Sequence, residues 1–147
     1  MLFRSGNFTY GTSEEYKLTV KGGYLSGCTS RVVNPSNTVL DGNSAGTVLM
    51  VDSEGGADFE CEGITLQNGS AVRGGGLKIA SVTGNVMLSN NLVSGNRATE
   101  FGGGISISTN ATITIANNTI SNNQSDYYAA AAKIGRASCR ERVSTPV

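Results

Sequence analysis

Histidine and tryptophan are absent from this 147-residue sequence, and proline occurs only twice. Without histidine there is no Ser-His-Asp triad and no Cys-His zinc site. No apolar run approaches the ~20 residues of a membrane-spanning helix, and the opening MLFRSGNFTY lacks the apolar stretch of a secretory signal. Charge is also lacking. Eleven basic residues balance eleven acidic ones, so there is no basic footprint for nucleic acid.

What the chain does have is 20 glycines and an excess of Asn, Ser and Thr, a composition suited to turn-rich β-structure rather than to a helical bundle. Hydrophobic residues make up 38%, enough for the core of one domain.

The tail differs from the rest. Its last fifteen residues hold Lys133, Arg136, Arg140 and Arg142 against Glu141; without them seven basic residues face ten acidic ones, a net of −3. IGRASCRERV, from Ile134 to Val143, resembles a translation of sequencing-adapter DNA. Upstream of it, Tyr127-Tyr128-Ala129-Ala130-Ala131-Ala132 stands where an aromatic and a glycine triplet are due, as a GGC-rich run read one base out of frame would give. The expected division is a β-repeat over 1–126 and a non-native tail over 127–147.

The body is repetitive. A shift of 27 lays NVMLSNNLVSGNRA, from Asn85, on TITIANNTISNNQS, from Thr112. Val86 then meets Ile113, Leu88 meets Ile115, Asn91 meets Asn118, Val93 meets Ile120 and Asn96 meets Asn123. One unit earlier, Phe59, Cys61 and Leu66 take the places of Val86, Leu88 and Val93, and deleting one residue brings Asn68 to Asn96. Fainter units offer Val39, Val48 and Met50, and before them Leu18 and Val20.

Each unit contains short apolar alternations such as Ile105-Ser106-Ile107, the period-two mark of a strand with one buried face. Asn-Asn, Gly-Asn and Gly-Gly-Gly break these strands, since Asn tolerates and Gly favours the left-handed backbone region. A unit of two or three short strands cannot bury its apolar side alone, but stacking on a near-copy pairs every strand at about 4.8 Å. The expected fold is therefore an all-β, incomplete right-handed parallel β-helix with a coil of about 27 residues, the handedness following from that of parallel crossovers. An antiparallel sandwich also has short alternating strands, but gives no reason for equal offsets.

In this fold Gly74, Gly75, Gly76, Gly102, Gly103 and Gly104 belong at coil corners, where a Cβ would crowd the neighbouring coil. Asn68, Asn96 and Asn123, with Asn91 and Asn118, are expected to form amide ladders along the stack. The glycine triplets match neither the dinucleotide nor the P-loop fingerprint.

Chemistry has few candidates. Asp52, Glu54, Asp58, Glu60 and Glu62 form the densest acidic cluster. With Phe59 and Cys61 inward, Asp58, Glu60 and Glu62 share one outer face, which suits Ca²⁺, the acid pair of a polysaccharide-degrading enzyme, or an ordinary solvated surface. No D-x-D-x-D-G loop accompanies them. Arg73 and Arg97 precede successive glycine triplets, where a lyase base or a plain solvated charge would fit. Cys28 and Cys61 could pair in an exported protein, but Cys61 occupies an inward slot that favours a buried free thiol.

The stretches GGYLSGCTSRVVNPSNTVLDG, GITLQNG, GGGL and NNLVSGNRATEFGGGI, within Gly6 to Asp126, resemble bacterial parallel β-helix repeat proteins of the polymorphic outer-membrane and autotransporter-passenger type. The triplets here are GGGL and GGGI where chlamydial members carry GGAI. The resemblance implies an extracellular or outer-membrane-associated chain serving as a structural or adhesive passenger; long faces lined with Ser, Thr and Asn suit carbohydrate or a host or cell-surface protein as partner, and no cofactor is expected beyond Ca²⁺ at the acidic cluster. A polysaccharide lyase or glycoside hydrolase fragment, or a purely structural repeat, are the alternatives, and the residues favour a role without catalysis.

Overall fold

The computed structural model describes residues 2–13, 15–80 and 82–135. All its sheets are parallel, and they stack as a β-solenoid of about four turns. The first coil contains β1 (Leu2–Ser5), β2 (Phe8–Thr12) and β3 (Leu18–Lys21), and the second β4 (Thr38–Asp41), β5 (Leu49–Ser53) and β6 (Phe59–Glu62). The third has four strands, β7 (Thr65–Gln67), β8 (Ser70–Arg73), β9 (Leu77–Ala80) and β10 (Val86–Ser89). The fourth repeats them as β11 (Leu92–Ser94), β12 (Arg97–Phe101), β13 (Ile105–Ser108) and β14 (Ile113–Ala116). A fifth begins with β15 (Thr119–Ser121), β16 (Gln124–Ser125) and β17 (Ala132–Gly135).

Four faces result. Face one stacks β1-β4-β7-β11-β15, face two β8-β12-β16, face three β2-β5-β9-β13-β17, and face four β3-β6-β10-β14. On face four Val86 lies between Phe59 and Ile113, and Leu88 between Cys61 and Ile115. The offset of 27 seen in the sequence is thus vertical neighbourhood in space. Inward residues of faces one, three and four fill one core, with Phe59, Leu66, Leu77, Ile79, Leu88, Ile105 and Ile107 almost fully buried. Each such side chain contributes about 1.5–3 kcal/mol of hydrophobic stabilisation.

Three details depart from the sequence reading. First, Met50 faces outward and half-exposed while Leu49 and Val51 point in. Val48, though buried, belongs to the bend before β5, so alternation restarts after it. Second, the extra residue between the third and fourth coils is a bulge between Ala98 and Phe101 on face two, where Phe101 pairs with Arg73. Third, the first-to-second coil step is longer, since Leu18 pairs with Phe59 and Phe8 with Leu49. Much of that length is an excursion over residues 22–37, bridged antiparallel at Tyr24 and Arg31. It leaves Tyr24, Leu25, Val32 and Val33 exposed.

The stack continues into the expected tail. Ile105 pairs with Ala132 and Ile107 with Ile134, while Arg136, Cys139, Arg140, Glu141 and Arg142 lie outside the described residues.

Candidate functional site

The corners on either side of face one are built alike. Each begins with a left-handed residue, Gly63, Asn90 and Asn117 at one corner (φ 69, 54 and 55°) and Asn68, Gly95 and Asn122 at the other (φ 55, 66 and 55°). Only Gly and Asn adopt this conformation readily. The following residue turns inward. Asn91 Nδ2 donates to Asn118 Oδ1 at 2.9 Å and to Cys61 O at 2.9 Å, while its Oδ1 accepts from Ile64 N at 3.1 Å. In the second column Asn96 Nδ2 donates to Asn123 Oδ1 and to Leu66 O, both at 3.0 Å, and its Oδ1 accepts from Gly69 N at 2.8 Å. Asn96 is 1% exposed, so these bonds satisfy backbone groups that have no access to water.

Asn68 is not a rung of that ladder. Gly69 occupies the rung beneath Asn96, and Asn68 sits one position earlier, exposed and left-handed, its Nδ2 donating to Asp41 Oδ2 at 2.8 Å. The deletion that aligned it with Asn96 is not made by the fold, because Gly95 serves the left-handed position that Asn68 and Asn122 also serve.

The glycine triplets lie at the corner between faces two and three. Gly74 and Gly102 have φ of 65 and 67°, and a Cβ on Gly76 would stand 2.7 Å from Gly104 O and 2.8 Å from Asn96 Nδ2. Gly75 and Gly103 face neighbouring backbone just as closely. In the next coil the left-handed place falls to Ala129, with φ 51°, whose N–H neighbour above, Gly102 N, donates to Ala129 O at 2.9 Å.

The five acids divide between two faces. Asp52 lies on β5 with Glu54 just past its end, on face three, beside Gly11 and Ser13 in an open recess. One oxygen of Asp52, Oδ1, is buried without a hydrogen-bond partner among the described residues. Glu60 and Glu62 lie on β6, with Asp58 just before it, on face four, and each of these three is held by a neighbouring coil. Asp58 Oδ1 accepts from Asn85 N at 2.7 Å. Glu60 meets Lys17 Nζ at 2.6 Å and Lys21 Nζ at 3.1 Å. Glu62 meets Arg31 Nη1 at 2.7 Å.

The hydrogen bond from Lys17, then that from Lys21, holds the Glu60 carboxyl below its usual range. A raised pKa, as a general acid needs, is the opposite condition. Among the described residues no three Cys, Asp or Glu side chains converge to hold a metal ion.

Arg73 stands apart from these acids, on face two. Its Nε meets Glu100 Oε2 at 2.5 Å, and its guanidinium lies 4.6 Å from the centre of the Phe101 ring. Arg97 Nη2 meets Asp126 Oδ1 at 3.0 Å. All these ion pairs join one coil to the next. Lys17, Lys21 and Arg31 were not foreseen as partners of Glu60 and Glu62, because the excursion hides the register; the outward parity of Lys17, Thr19 and Lys21 around inward Leu18 and Val20 was the available signal.

Cys28 and Cys61 are both free thiols. Cys28 is exposed in the excursion; Cys61 is 1% exposed, and burial pushes its pKa up to about 12.

No helix among the described residues is long and apolar enough to cross a membrane. Comparison with protein-family models, with curated proteins and with solved structures gives no match.

Proposed function

We propose that the chain belongs to a secreted or cell-surface bacterial solenoid, a structural and adhesive passenger that offers its outer faces to carbohydrate or to protein on another surface. The observation that carries this reading is the engagement of Asp58, Glu60, Glu62 and Arg73 by adjacent coils. Side chains committed to joining coils serve the length and stiffness of a stalk. A solenoid also provides extended surfaces of regular spacing for contact.

Face two has the most suitable surface chemistry. Phe101, on β12, is partly exposed, with the Arg73 guanidinium 4.6 Å from the centre of its ring. The ion pairs Arg73–Glu100 and Arg97–Asp126 lie along the same face, and a flat apolar ring beside charged hydrogen-bonding groups is a common arrangement for gripping a polar ligand.

The test is a glycan array probed with the purified chain, beside an assay for reducing ends and unsaturated products. Retained binding without product, weakened in Phe101→Ser, is the expected result. Products that disappear in Glu60→Gln would replace this reading with an enzyme, and an absence of any glycan or cell-surface binding would reduce it to a structural repeat.

A further inference from the structure

The sequence contains one Asn-Gly pair, Asn68-Gly69. Glycine has no side chain to hinder its backbone nitrogen, so in a free chain Gly69 N can attack Asn68 Cγ. A C–N bond forms, the bond from Cγ to Nδ2 breaks, and the Gly69 proton leaves with ammonia. Water then opens the cyclic imide at either carbonyl, giving aspartate or isoaspartate.

In the solenoid both participants are held away from this reaction. Gly69 N–H donates to Asn96 Oδ1 at 2.8 Å inside the stack, and Asn68 Nδ2 donates to Asp41 Oδ2 at 2.8 Å. Gly69 is buried while Asn68 itself is exposed, so water is at hand and the nucleophile is not.

We propose that Asn68 is a deamidation site gated by the Asn96 rung, and that its conversion works as a one-way loosening device for the coil. The product would place a second carboxylate against Asp41, which is 9% exposed. That exchanges a donor for a like charge, and both electrostatics and hydrogen bonding then oppose closure.

The test follows the peptide carrying Asn68 by mass spectrometry after incubation at mildly alkaline pH, in the native chain and in the same chain unfolded by urea. Native deamidation slower by about tenfold or more is expected, since attack requires local opening that breaks a buried hydrogen bond; equal rates would overturn the gate. The consequence is read from Asn68→Asp, which should lower the urea midpoint at neutral pH and regain most of it when combined with Asp41→Asn. An Asn68→Asp chain as stable as the parent would overturn the loosening.

Discussion

At Ala129 an L-residue adopts the left-handed conformation that its column gives to Gly74 and Gly102. The Cβ cost of that conformation is about 1–2 kcal/mol, and no Cβ is required for the backbone bond to Gly102. Ala129→Gly is therefore expected to stabilise the chain by about 1 kcal/mol, seen as a higher urea midpoint. The two cysteines differ as sharply. In a Cys139→Ser background a maleimide should label Cys28 within minutes and leave Cys61 unmodified until unfolding, because a buried thiol with a pKa near 12 supplies almost no thiolate. Rapid labelling of Cys61 in the folded chain would contradict its place in the core.

Cys61 was legible in the sequence because it shares an inward slot with Leu88 and Ile115, and pattern alone reports facing. Asn68 was misread, because Asn serves two adjacent corner positions, one by backbone tolerance and one by its amide. Identity cannot separate them where Gly replaces either.

At the scale of elements, the corner columns join neighbouring strands through side chains as well as backbone. Asn118 Nδ2 donates to Leu88 O at 2.8 Å and its Oδ1 accepts from Asn91 Nδ2. Asn118→Ala should cost about 1–3 kcal/mol by leaving such groups unpaired; a cost within 0.5 kcal/mol, as for ordinary surface substitutions, would deny the ladder a structural role.

Carboxylates on β4 and β6 add a pH dependence. Asp41 is held below the usual carboxylate range chiefly by Gln67, with Asn43 N and Asn68 also donating to it, and Glu60 by Lys17 and Lys21. A lowered folded pKa means that their stabilisation is full above the unfolded value of about 4 and is lost as pH falls through the lower folded value. The urea midpoint should hold from neutral pH to about pH 5 and drop below about pH 4, less steeply in Asp41→Asn. The sequence announced these strands through their alternation, but not the excursion over residues 22–37. Its apolar residues follow neither period, and the salt bridge from Arg31 to Glu62 depends on a register that only the fold supplies.

At the scale of the whole molecule, the repeat made the architecture readable because a solenoid turns sequence offset into vertical contact. Val86 and Ile113 are matched in the sequence and paired in space for the same reason, since each fills the core one coil apart. Function was less readable. The acidic run looks like a site in one dimension and is divided between faces in three, with its face-four members bound to cations or amides from other coils.

The most direct measurement of this architecture is the pattern of interstrand nuclear Overhauser contacts made by the backbone of Val86–Ser89 in solution. Parallel-type contacts are expected on both edges, to Phe59–Glu62 on one side and to Ile113–Ala116 on the other. Antiparallel contacts, or partners elsewhere in the chain, would contradict this architecture.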